Sequence, residues 1–303
     1  MSPDLLAGTK PSIKNAYKQF LNTEEGARAY EQFKQILYTT DDSLVQTLNN
    51  TVLQHLPAIS TDVLNVCDIG GGDGKRIKKI LGFLHKKFAL RFNLDFVEQS
   101  FCLMRAFDVN EIAAFTEIRK VETLFENADL QGGYDLVFLI HSIFAFQNGS
   151  TVDKVLSLPK SRGTIVAVSN AKDSFLARLK RLLDVDYDDC RFEITDLVKI
   201  LEDRALRFQQ IPFETKWAVR QEALSRKTEA ILNWLSLGRY KDLTDSRKRE
   251  IWRYIGENSS DLGQRVLFSE GEVIVLVSPS GQPDENPGYS HLERIPETGR
   301  KEA

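Results

Sequence analysis

"VCDIGGGDGKRIKKIL", residues 66–81, carries the strongest structural signal in the chain. A short apolar run ends at Asp68, four glycines follow within five positions, and a segment with apolar residues at helical spacing begins. Glycine has no Cβ atom and accepts positive φ angles, so a glycine-rich turn lets the backbone approach a bound molecule closely. The stretch therefore predicts a ligand site at the start of a strand–turn–helix unit.

Two phosphate-binding patterns fail at this position. A P-loop requires GxxxxGK followed by serine or threonine, whereas Gly70 is followed five residues later by Lys75 and by neither hydroxyl residue. A dinucleotide site requires GxGxxG, and its third glycine would fall on Lys75 or on Ile77. The pattern excludes both of these sites and leaves other ligands, or a tight turn without a ligand.

A third pattern fits, namely an acid followed by alternating glycines at Asp68, Gly70, Gly72 and Gly74, with Gly71 between them. It resembles motif I of the class I methyltransferases that use S-adenosylmethionine. Bare backbone can lie against the methionine part and the ribose, and the amides at the start of the next helix favour a carboxylate. These residues are the predicted floor of a cofactor site.

The next two strands supply further cofactor candidates. "FVEQS" ends the second strand, where the Glu98 carboxylate can accept both ribose hydroxyls, with Gln99 beside it and Asp95 as the alternative acid. "VETLFENADL" follows the third strand and predicts an adenine contact at Thr123 or its neighbours. These neighbours are Glu122 and Leu124.

The composition is that of an ordinary globular protein, with 303 residues, 42% hydrophobic and 27% charged, and a net charge of -3. It gives no reason to expect a nucleic acid or a membrane as partner, and the basic run after the glycines reads as one face of an amphipathic helix. The cysteines are scattered, which predicts reduced thiols and no metal site. They are Cys67, Cys102 and Cys190. Without a signal pattern, we expect a cytoplasmic protein.

Short apolar runs alternate with helical patterns, which predicts an α/β fold with a Rossmann-like, mostly parallel, seven-stranded sheet. The expected strands are 63–69, 91–97, 117–122, 134–140, 163–169, 207–219 and 271–279. A helical block between the last two strands, together with helices at the N-terminus, predicts a cap over the carboxyl ends of the strands. The predicted parts are a cap at 1–60, a cofactor domain at 61–219 and 270–279, a helical substrate-binding insertion at 220–269 and a flexible tail at 280–303.

Over most of residues 14–278 the chain resembles the histamine N-methyltransferase family. The similarity is weak at each place but ordered, and it is carried by "YKQFLN", "IGGGDG", "VEQS", "YDLVFLIHSIFAF", "ITDLVKILEDRALRF", "ILNWL" and "VLFSEGEVIVLV". The resemblance implies that Gly70, Gly71, Gly72 and Glu98 bind the cofactor and that Ile140 lines its pocket.

The substrate side departs from that family. His141 stands where the family has a glutamine, and Glu270 stands where it has an asparagine. Of a pair of tyrosines in the family, one is matched by Phe144 and the other is replaced by Ala145. The family's amine-binding glutamate aligns with Gly26. Two acids close by could substitute for it, Glu24 and Glu25. The resemblance implies methyl transfer to a small molecule but argues against histamine itself.

We expect His141 to remove a proton from the acceptor and Glu270, in a turn before the last strand, to anchor a cationic group. A structural histidine and a solvated loop acid are the alternatives. Aromatic side chains would complete a substrate wall that favours cations, unless they belong to the core. They are Tyr17, Phe20, Phe144, Phe146, Phe175 and Trp217.

The sequence thus predicts a monomeric small-molecule N-methyltransferase that uses S-adenosylmethionine and releases S-adenosylhomocysteine. Two alternatives stay open at this point. One is an O-methyltransferase acting on a carboxylate or hydroxyl group, and the other is a non-catalytic protein that binds S-adenosylmethionine.

Overall fold

A computed structural model describes residues 12–36, 38–50, 62–146, 149–184, 187 and 191–278. The helices in this part are α1 (Ile13–Leu21), α2 (Glu24–Ile36), α3 (Tyr38–Leu48), α4 (Lys75–Phe88), α5 (Phe101–Ala106), α6 (Gly149–Leu156), α7 (Phe175–Leu183), α8 (Ile194–Asp203), α9 (Leu224–Leu235) and α10 (Asp245–Glu257). The strands are β1 (Val63–Ile69), β2 (Arg91–Glu98), β3 (Thr116–Glu122), β4 (Tyr134–Ile140), β5 (Pro159–Asn170), β6 (Phe208–Arg220), β7 (Ser260–Asp261) and β8 (Arg265–Val277). The expected tail at 280–303 and Cys190 lie outside the described residues.

The strands form one sheet with the order β3-β2-β1-β4-β5-β8-β6, and β7 pairs with β8. Strands β1 to β5 pair in parallel, whereas β8 is antiparallel to both β5 and β6. The predicted Rossmann-like, mostly parallel α/β sheet is therefore confirmed. The described chain adds one short strand, β7, to the seven that the sequence predicts.

The last strand begins earlier than predicted, at Arg265 and not at residue 271. Val266, Phe268 and Glu270 are buried, and the residues between them are more exposed, which is the alternation of a strand with one covered face. The polar sequence "SEGE" hides this alternation. As a consequence, Glu270 lies within the strand, and the expectation of a turn at this position is wrong.

Helices cover both faces of the central strands, which explains why β4 is buried along almost its whole length. Helix α4 places Ile77, Ile80, Leu81 and Leu84 in the core, as its amphipathic spacing predicts. No described helix combines the length and the apolar character that crossing a bilayer requires.

An aromatic cluster joins the N-terminal helices to the segment between β6 and β8. The indole ring of Trp234, in α9, lies 5.0 to 6.1 Å from the rings of four aromatic residues. They are Tyr17 and Phe20 of α1, and Tyr30 and Phe33 of α2. Helices α1, α2 and α9 therefore form one layer, which we call the helical layer.

Two polar contacts attach the helical layer to the rest of the fold. The Ser100 hydroxyl donates to the carbonyl of Leu21, the last residue of α1, at 2.6 Å. The buried Arg191 guanidinium donates to both carboxylate oxygens of Asp184, at 2.6 and 2.8 Å, and to the carbonyl of Leu235 at 2.6 Å. Both ends of the layer are thus held by buried hydrogen bonds.

We expect Ser100→Ala to destabilise the protein by about 1–2 kcal/mol, because it removes the N-cap of α5 and leaves the Leu21 carbonyl without its donor. Thr244→Ala is the matched control, since Thr244 caps α10 and has no contact with α1 among those described. Chemical denaturation of both variants measures the difference. Equal losses of stability would show that the bond to Leu21 contributes nothing.

Candidate active site

The alternating positions of the glycines in the loop follow from the backbone conformation. Gly70, Gly72 and Gly74 have φ angles of 69°, 61° and 71°, in the left-handed region that disfavours any side chain. Gly71 has an ordinary φ, but a Cβ atom there would lie 2.1 Å from the Phe96 ring and 2.5 Å from an Asp68 carboxylate oxygen. The alternating glycines thus provide the turn, and the one between them provides room for its neighbours.

Except for Gly74, the predicted cofactor residues line one cavity at the carboxyl ends of the parallel strands. Gly74 instead precedes α4 as its N-cap, and a Cβ atom there would lie 2.2 Å from the Phe107 ring. The lining residues from the prediction are Asp68, Gly70, Gly71, Gly72, Glu98, Gln99, Thr123 and Ile140. The turn and the ends of β2, β3 and β4 therefore meet where open α/β sheets bind ligands.

The Glu98 carboxylate is buried and holds the glycine loop in place. One oxygen accepts from the Gly72 amide at 2.9 Å, and the other accepts from the Ser100 amide at 2.8 Å. Burial raises the pKa of Glu98, although these amides oppose the shift. The Gln99 amide acts in the same direction, and because a carboxylate has about four lone-pair positions it can still accept a hydroxyl group of a ligand.

A second buried carboxylate, Asp68, lies beside the same loop. Burial raises the pKa of Asp68 to about 7, the negative charge of Glu98 adds to the shift, and Arg76 opposes it. Two carboxylates in one apolar environment repel each other and favour a cationic ligand. This part of the cavity is therefore unsuited to phosphate groups.

The residues from which the sequence predicts an adenine contact differ in their position relative to the cavity. Thr123 and Leu124 line the cavity, and the side-chain oxygen of Gln99 is buried there without a hydrogen-bond partner. Glu122 is exposed and lies outside the cavity. Asp95 lies outside it as well. Its carboxylate accepts hydrogen bonds from the guanidinium of Arg119 and the hydroxyl of Tyr134.

His141 follows β4 with a φ angle of 53°, which is unusual for a residue other than glycine. Its Nε2 atom lies 3.0 Å from a carboxylate oxygen of Glu272 in β8, whose other oxygen accepts from the Thr215 hydroxyl at 2.8 Å. The three side chains line the cavity as a connected row. The sequence predicted His141 and missed Glu272 and Thr215.

The protonation states of this row follow from their surroundings. Burial lowers the pKa of His141, and the charge of Glu272 opposes this shift. Burial alone would raise the pKa of Glu272, but the charge and hydrogen bond of His141 lower it overall. An ionised carboxylate can only accept, so Nε2 carries the proton and Nδ1 of the neutral ring is left as a base.

Glu270 is buried and has two partners. One carboxylate oxygen accepts from the Asn170 side-chain amide at 2.8 Å, and the other accepts from the Leu176 amide, in the first turn of α7, at 2.8 Å. Burial raises its pKa to about 7. The alternative of a solvated loop acid is therefore wrong, and the carboxylate holds the start of α7 against β5 and β8.

Glu270, Asn170 and Lys180 of α7 form a second connected row of side chains. The sequence did not predict Lys180 as a site residue. Its Nζ atom donates to the Asn170 side-chain oxygen at 2.7 Å and lies 5.4 Å from the centre of the Phe144 ring. Burial, together with the charge of Arg191, lowers the pKa of Lys180 to about 8. The ammonium group thus remains mostly charged at neutral pH.

The predicted aromatic wall is present in part. Tyr17, Phe144, Phe146 and Trp217 line the cavity, and the rings of Tyr17 and Phe144 meet edge to face at 4.8 Å. Three other predicted substrate residues do not line it, namely Phe20, Phe175 and Glu25. Phe20 packs in the helical layer, Phe175 packs against the rings of Trp217, Tyr254 and Phe268, and Glu25 is exposed in the first turn of α2.

The helical layer closes over the glycine loop. A Cβ atom on Gly72 would lie 2.5 Å from the Tyr30 hydroxyl of α2, so the tyrosine occupies the space beside the loop. At Gly26, in the same helix, a Cβ atom would lie 1.9 Å from the carbonyl oxygen of Phe20. No larger side chain fits at Gly26, so the amine-binding glutamate of the resembling family has no counterpart there.

Comparisons with known proteins support the fold. No family model matches the chain, and a search of curated proteins finds no similar sequence. A candidate methyltransferase from Bacillus halodurans shares 14% identity, over 75% of this chain and 97% of that one, with a TM-score of 0.50. At this level of identity the similarity shows that the two proteins share a fold.

Two further solved structures are similar at slightly lower TM-scores. The YcgJ protein of Bacillus subtilis shares 13% identity, over 79% of this chain and 97% of that one, at 0.48. A candidate methyltransferase from an antibiotic biosynthesis pathway of Anabaena variabilis shares 18% identity, over 77% and 96% of the two chains, at 0.49.

Proposed function

We propose that the protein is an S-adenosylmethionine-dependent methyltransferase that acts on a small molecule. The observation that carries this proposal is the pair of buried carboxylates, Asp68 and Glu98, beside a glycine loop at the carboxyl ends of β1 and β2. A pyrophosphate would be repelled there, whereas a sulfonium and an ammonium group would be attracted. S-adenosylmethionine carries both cations together with a ribose and an adenine.

The other polar groups of the cavity suit the same ligand. The ribose hydroxyls would be held by Glu98, and the unpartnered oxygen of Gln99 would accept a further hydrogen bond from the nucleoside. Thr123 and Leu124 would flank the adenine, and Gly70 and Gly71 would lie under the methionine part. The Ser142 hydroxyl, buried in the same cavity without a partner, offers one more contact.

Calorimetric titration with S-adenosylhomocysteine is expected to show one site, with a dissociation constant in the micromolar range, on the order of 1–100 μM. NAD, which carries a pyrophosphate on a similar nucleoside, serves as the control ligand and should not bind. Absence of S-adenosylhomocysteine binding at millimolar concentration would refute the methyltransferase proposal, including its O-methylating form. Binding without turnover of any acceptor would favour the non-catalytic alternative.

For the reaction, we propose N-methylation of an amine or an imidazole-type nitrogen. When bound, the cofactor would supply a methyl group on a sulfonium, from which the neutral thioether S-adenosylhomocysteine leaves in an in-line displacement. His141 Nδ1 would take a proton from the acceptor nitrogen, because that nitrogen must be neutral to attack. Glu272 would stabilise the imidazolium that forms and keep the ring oriented.

The residues that line the cavity favour nitrogen over oxygen as the methylated atom. A cavity without carboxylates would favour an O-methyltransferase, but Glu270 and Glu272 both line this one. The wall of Tyr17, Phe144 and Trp217 also suits a cationic or aromatic acceptor. Histamine itself is disfavoured, because Gly26 leaves no room for an amine-binding acid and Glu25 is exposed.

We also propose that the helical layer, with the segment 220–269, acts as the cap that separates the reaction from water. Tyr17, Tyr30 and Trp234 line the cavity from this layer. A closed cavity strengthens the electrostatic interactions of His141 and Glu272 by lowering the local dielectric constant.

A further inference from the structure

Lys180 is a charged group that the reaction described above does not use. Its ammonium group lines the cavity and has one hydrogen-bond acceptor, the Asn170 side chain, at 2.7 Å. Among the described residues, no carboxylate forms an ion pair with it. The charges of Glu270, Asp184 and Glu193 act on this ammonium group from beyond ion-pair distance, so it keeps hydrogen-bond donors for an anionic ligand.

A second group points to the same conclusion independently. Trp217 is 3% exposed and lines the cavity, and its indole N–H is buried without a hydrogen-bond partner. The ring is fixed, because it stacks on Phe268 at 4.1 Å between ring centres. Buried N–H groups are almost always hydrogen-bonded in native proteins, so an acceptor atom from a ligand is expected at this position.

Two charged groups near Lys180 already have partners of their own. Arg191 is already neutralised by both oxygens of Asp184 and also donates to the Leu235 carbonyl. Both oxygens of Glu270 already accept hydrogen bonds, from Asn170 and from the start of α7. Compared with Arg191 and Glu270, Lys180 therefore has hydrogen-bonding capacity left for a ligand.

The sheet places this cation next to the proposed base. Asn170, which holds Lys180, is the register partner of Glu272, which holds His141. Paired residues of antiparallel strands have Cα atoms about 5 Å apart. A ligand that reaches both His141 and Lys180 must therefore carry its reacting nitrogen and its anionic group within a few bonds of each other.

We propose that the methyl acceptor is a small amine that carries a carboxylate, and that the Lys180 ammonium and the Trp217 indole N–H bind this carboxylate. The inference rests on the proposed methyltransferase function and names the substrate class of the same site. The amine would lie towards His141, and the carboxylate would bind Lys180 by a charge-assisted hydrogen bond.

The test is binding to protein saturated with S-adenosylhomocysteine, measured by calorimetry with three matched pairs of probes. Each pair is an amino acid and its amide, which differ in the negative charge: glycine and glycinamide, histidine and histidinamide, phenylalanine and phenylalaninamide. At least one amino acid is expected to bind about tenfold more tightly than its amide, or ~1.4 kcal/mol. Amides that bind as well as their acids in every pair, or no binding of any amino acid at millimolar concentration, would overturn the proposal.

Two variants assign the effect to the named side chains. Lys180→Met should abolish the preference for the carboxylate, Lys180→Arg should retain part of it, and Lys86→Met, at an exposed position of α4, should leave it intact. Trp217→Phe should reduce the affinity for the amino acid by about three- to tenfold through loss of one hydrogen bond. Trp252→Phe is its control, because that indole already donates to the Tyr240 hydroxyl at 2.8 Å.

The affinity for S-adenosylhomocysteine alone separates the remaining outcomes. It should be unchanged in Lys180→Met, which also shows that the variant is folded. A loss of the same size for S-adenosylhomocysteine would mean that Lys180 binds the carboxylate of the cofactor itself, and the proposal would then be wrong. Absence of S-adenosylhomocysteine binding in the unaltered protein would instead contradict the methyltransferase function.

Discussion

Replacing Glu272 by glutamine is expected to lower kcat for methyl transfer by about 100-fold, the usual size of a general-base contribution. The Glu272 carboxylate lies 3.0 Å from His141 Nε2 and can stabilise the imidazolium that forms when Nδ1 takes the acceptor's proton. A neutral amide cannot supply that charge and can offer its NH₂ group to Nε2, which favours the wrong tautomer. The affinity for S-adenosylhomocysteine should change little, because Glu272 lies on β8, away from the glycine loop.

The pH dependence of kcat distinguishes this role from a structural one. Burial holds the pKa of His141 below its ordinary value, and the negative charge of Glu272 raises it within that limit. The rate should therefore rise with pH through the pKa of His141, below about 6.5, and then level off. In Glu272→Gln the raising charge is gone, so the acid limb should move to lower pH while the plateau falls.

Two comparisons complete this experiment. Glu214→Gln is the matched control, because Glu214 is an exposed acid on the neighbouring strand β6. His141→Ala should lose as much activity as Glu272→Gln, and the double variant should lose hardly more, since the two side chains act as a unit. A normal kcat and pH profile in Glu272→Gln would exclude the proposed base.

The residues that sequence reasoning located are those whose role is local. The turn after β1 requires positive φ angles at Gly70, Gly72 and Gly74. Because glycine adopts such angles most readily, the spacing of glycines in the sequence shows this requirement. Glu98 follows from the same logic, because the end of a parallel strand next to the glycine turn is a fixed place in the fold. The sheet, the glycine loop and the position of Glu98 beside it could therefore be predicted from periodicity and motif.

The residues that sequence reasoning missed depend on contacts between distant segments. Glu272 meets Thr215 only because β6 and β8 pair in one particular antiparallel register, and Lys180 meets Asn170 only because α7 folds back on β5. Glu270 interrupts an apolar pattern, so the sequence predicts a turn at this residue although its side chain is buried. Propensity describes the local chain, and tertiary pairing overrides it at such positions.

Two of the predicted aromatic residues, Phe20 and Phe175, do not line the cavity, for a related reason. Helical spacing shows that Phe20 and Phe175 face inwards, but it does not distinguish a core from a cavity wall. In the structure Phe20 packs against Trp234 and Phe175 against Trp217, so both support the residues that line the cavity.

Replacing Glu98 by glutamine is expected to weaken binding of S-adenosylhomocysteine by about 100-fold, or ~3 kcal/mol. The carboxylate accepts from two backbone amides, at 2.9 Å from Gly72 and 2.8 Å from Ser100, and a glutamine can accept with only one of its two terminal atoms. One of these amides thus loses its partner, and the proposed charge-assisted bonds to the ribose hydroxyls become neutral ones. The fold should persist, because the repulsion between Glu98 and Asp68 disappears as well.

Asp68 supplies an internal readout of the same change. Its pKa is about 7 in the unaltered protein, partly because the Glu98 charge raises it. An ionised Asp68 attracts the ligand's ammonium group, so affinity for S-adenosylhomocysteine should increase as pH rises through neutrality. In Glu98→Gln this step should move to lower pH.

Glu122→Gln is the matched control, since Glu122 is the register partner of Glu98 on β3 yet is exposed and outside the cavity. Equal affinities in the two variants would show that Glu98 neither shapes the loop nor holds the ribose.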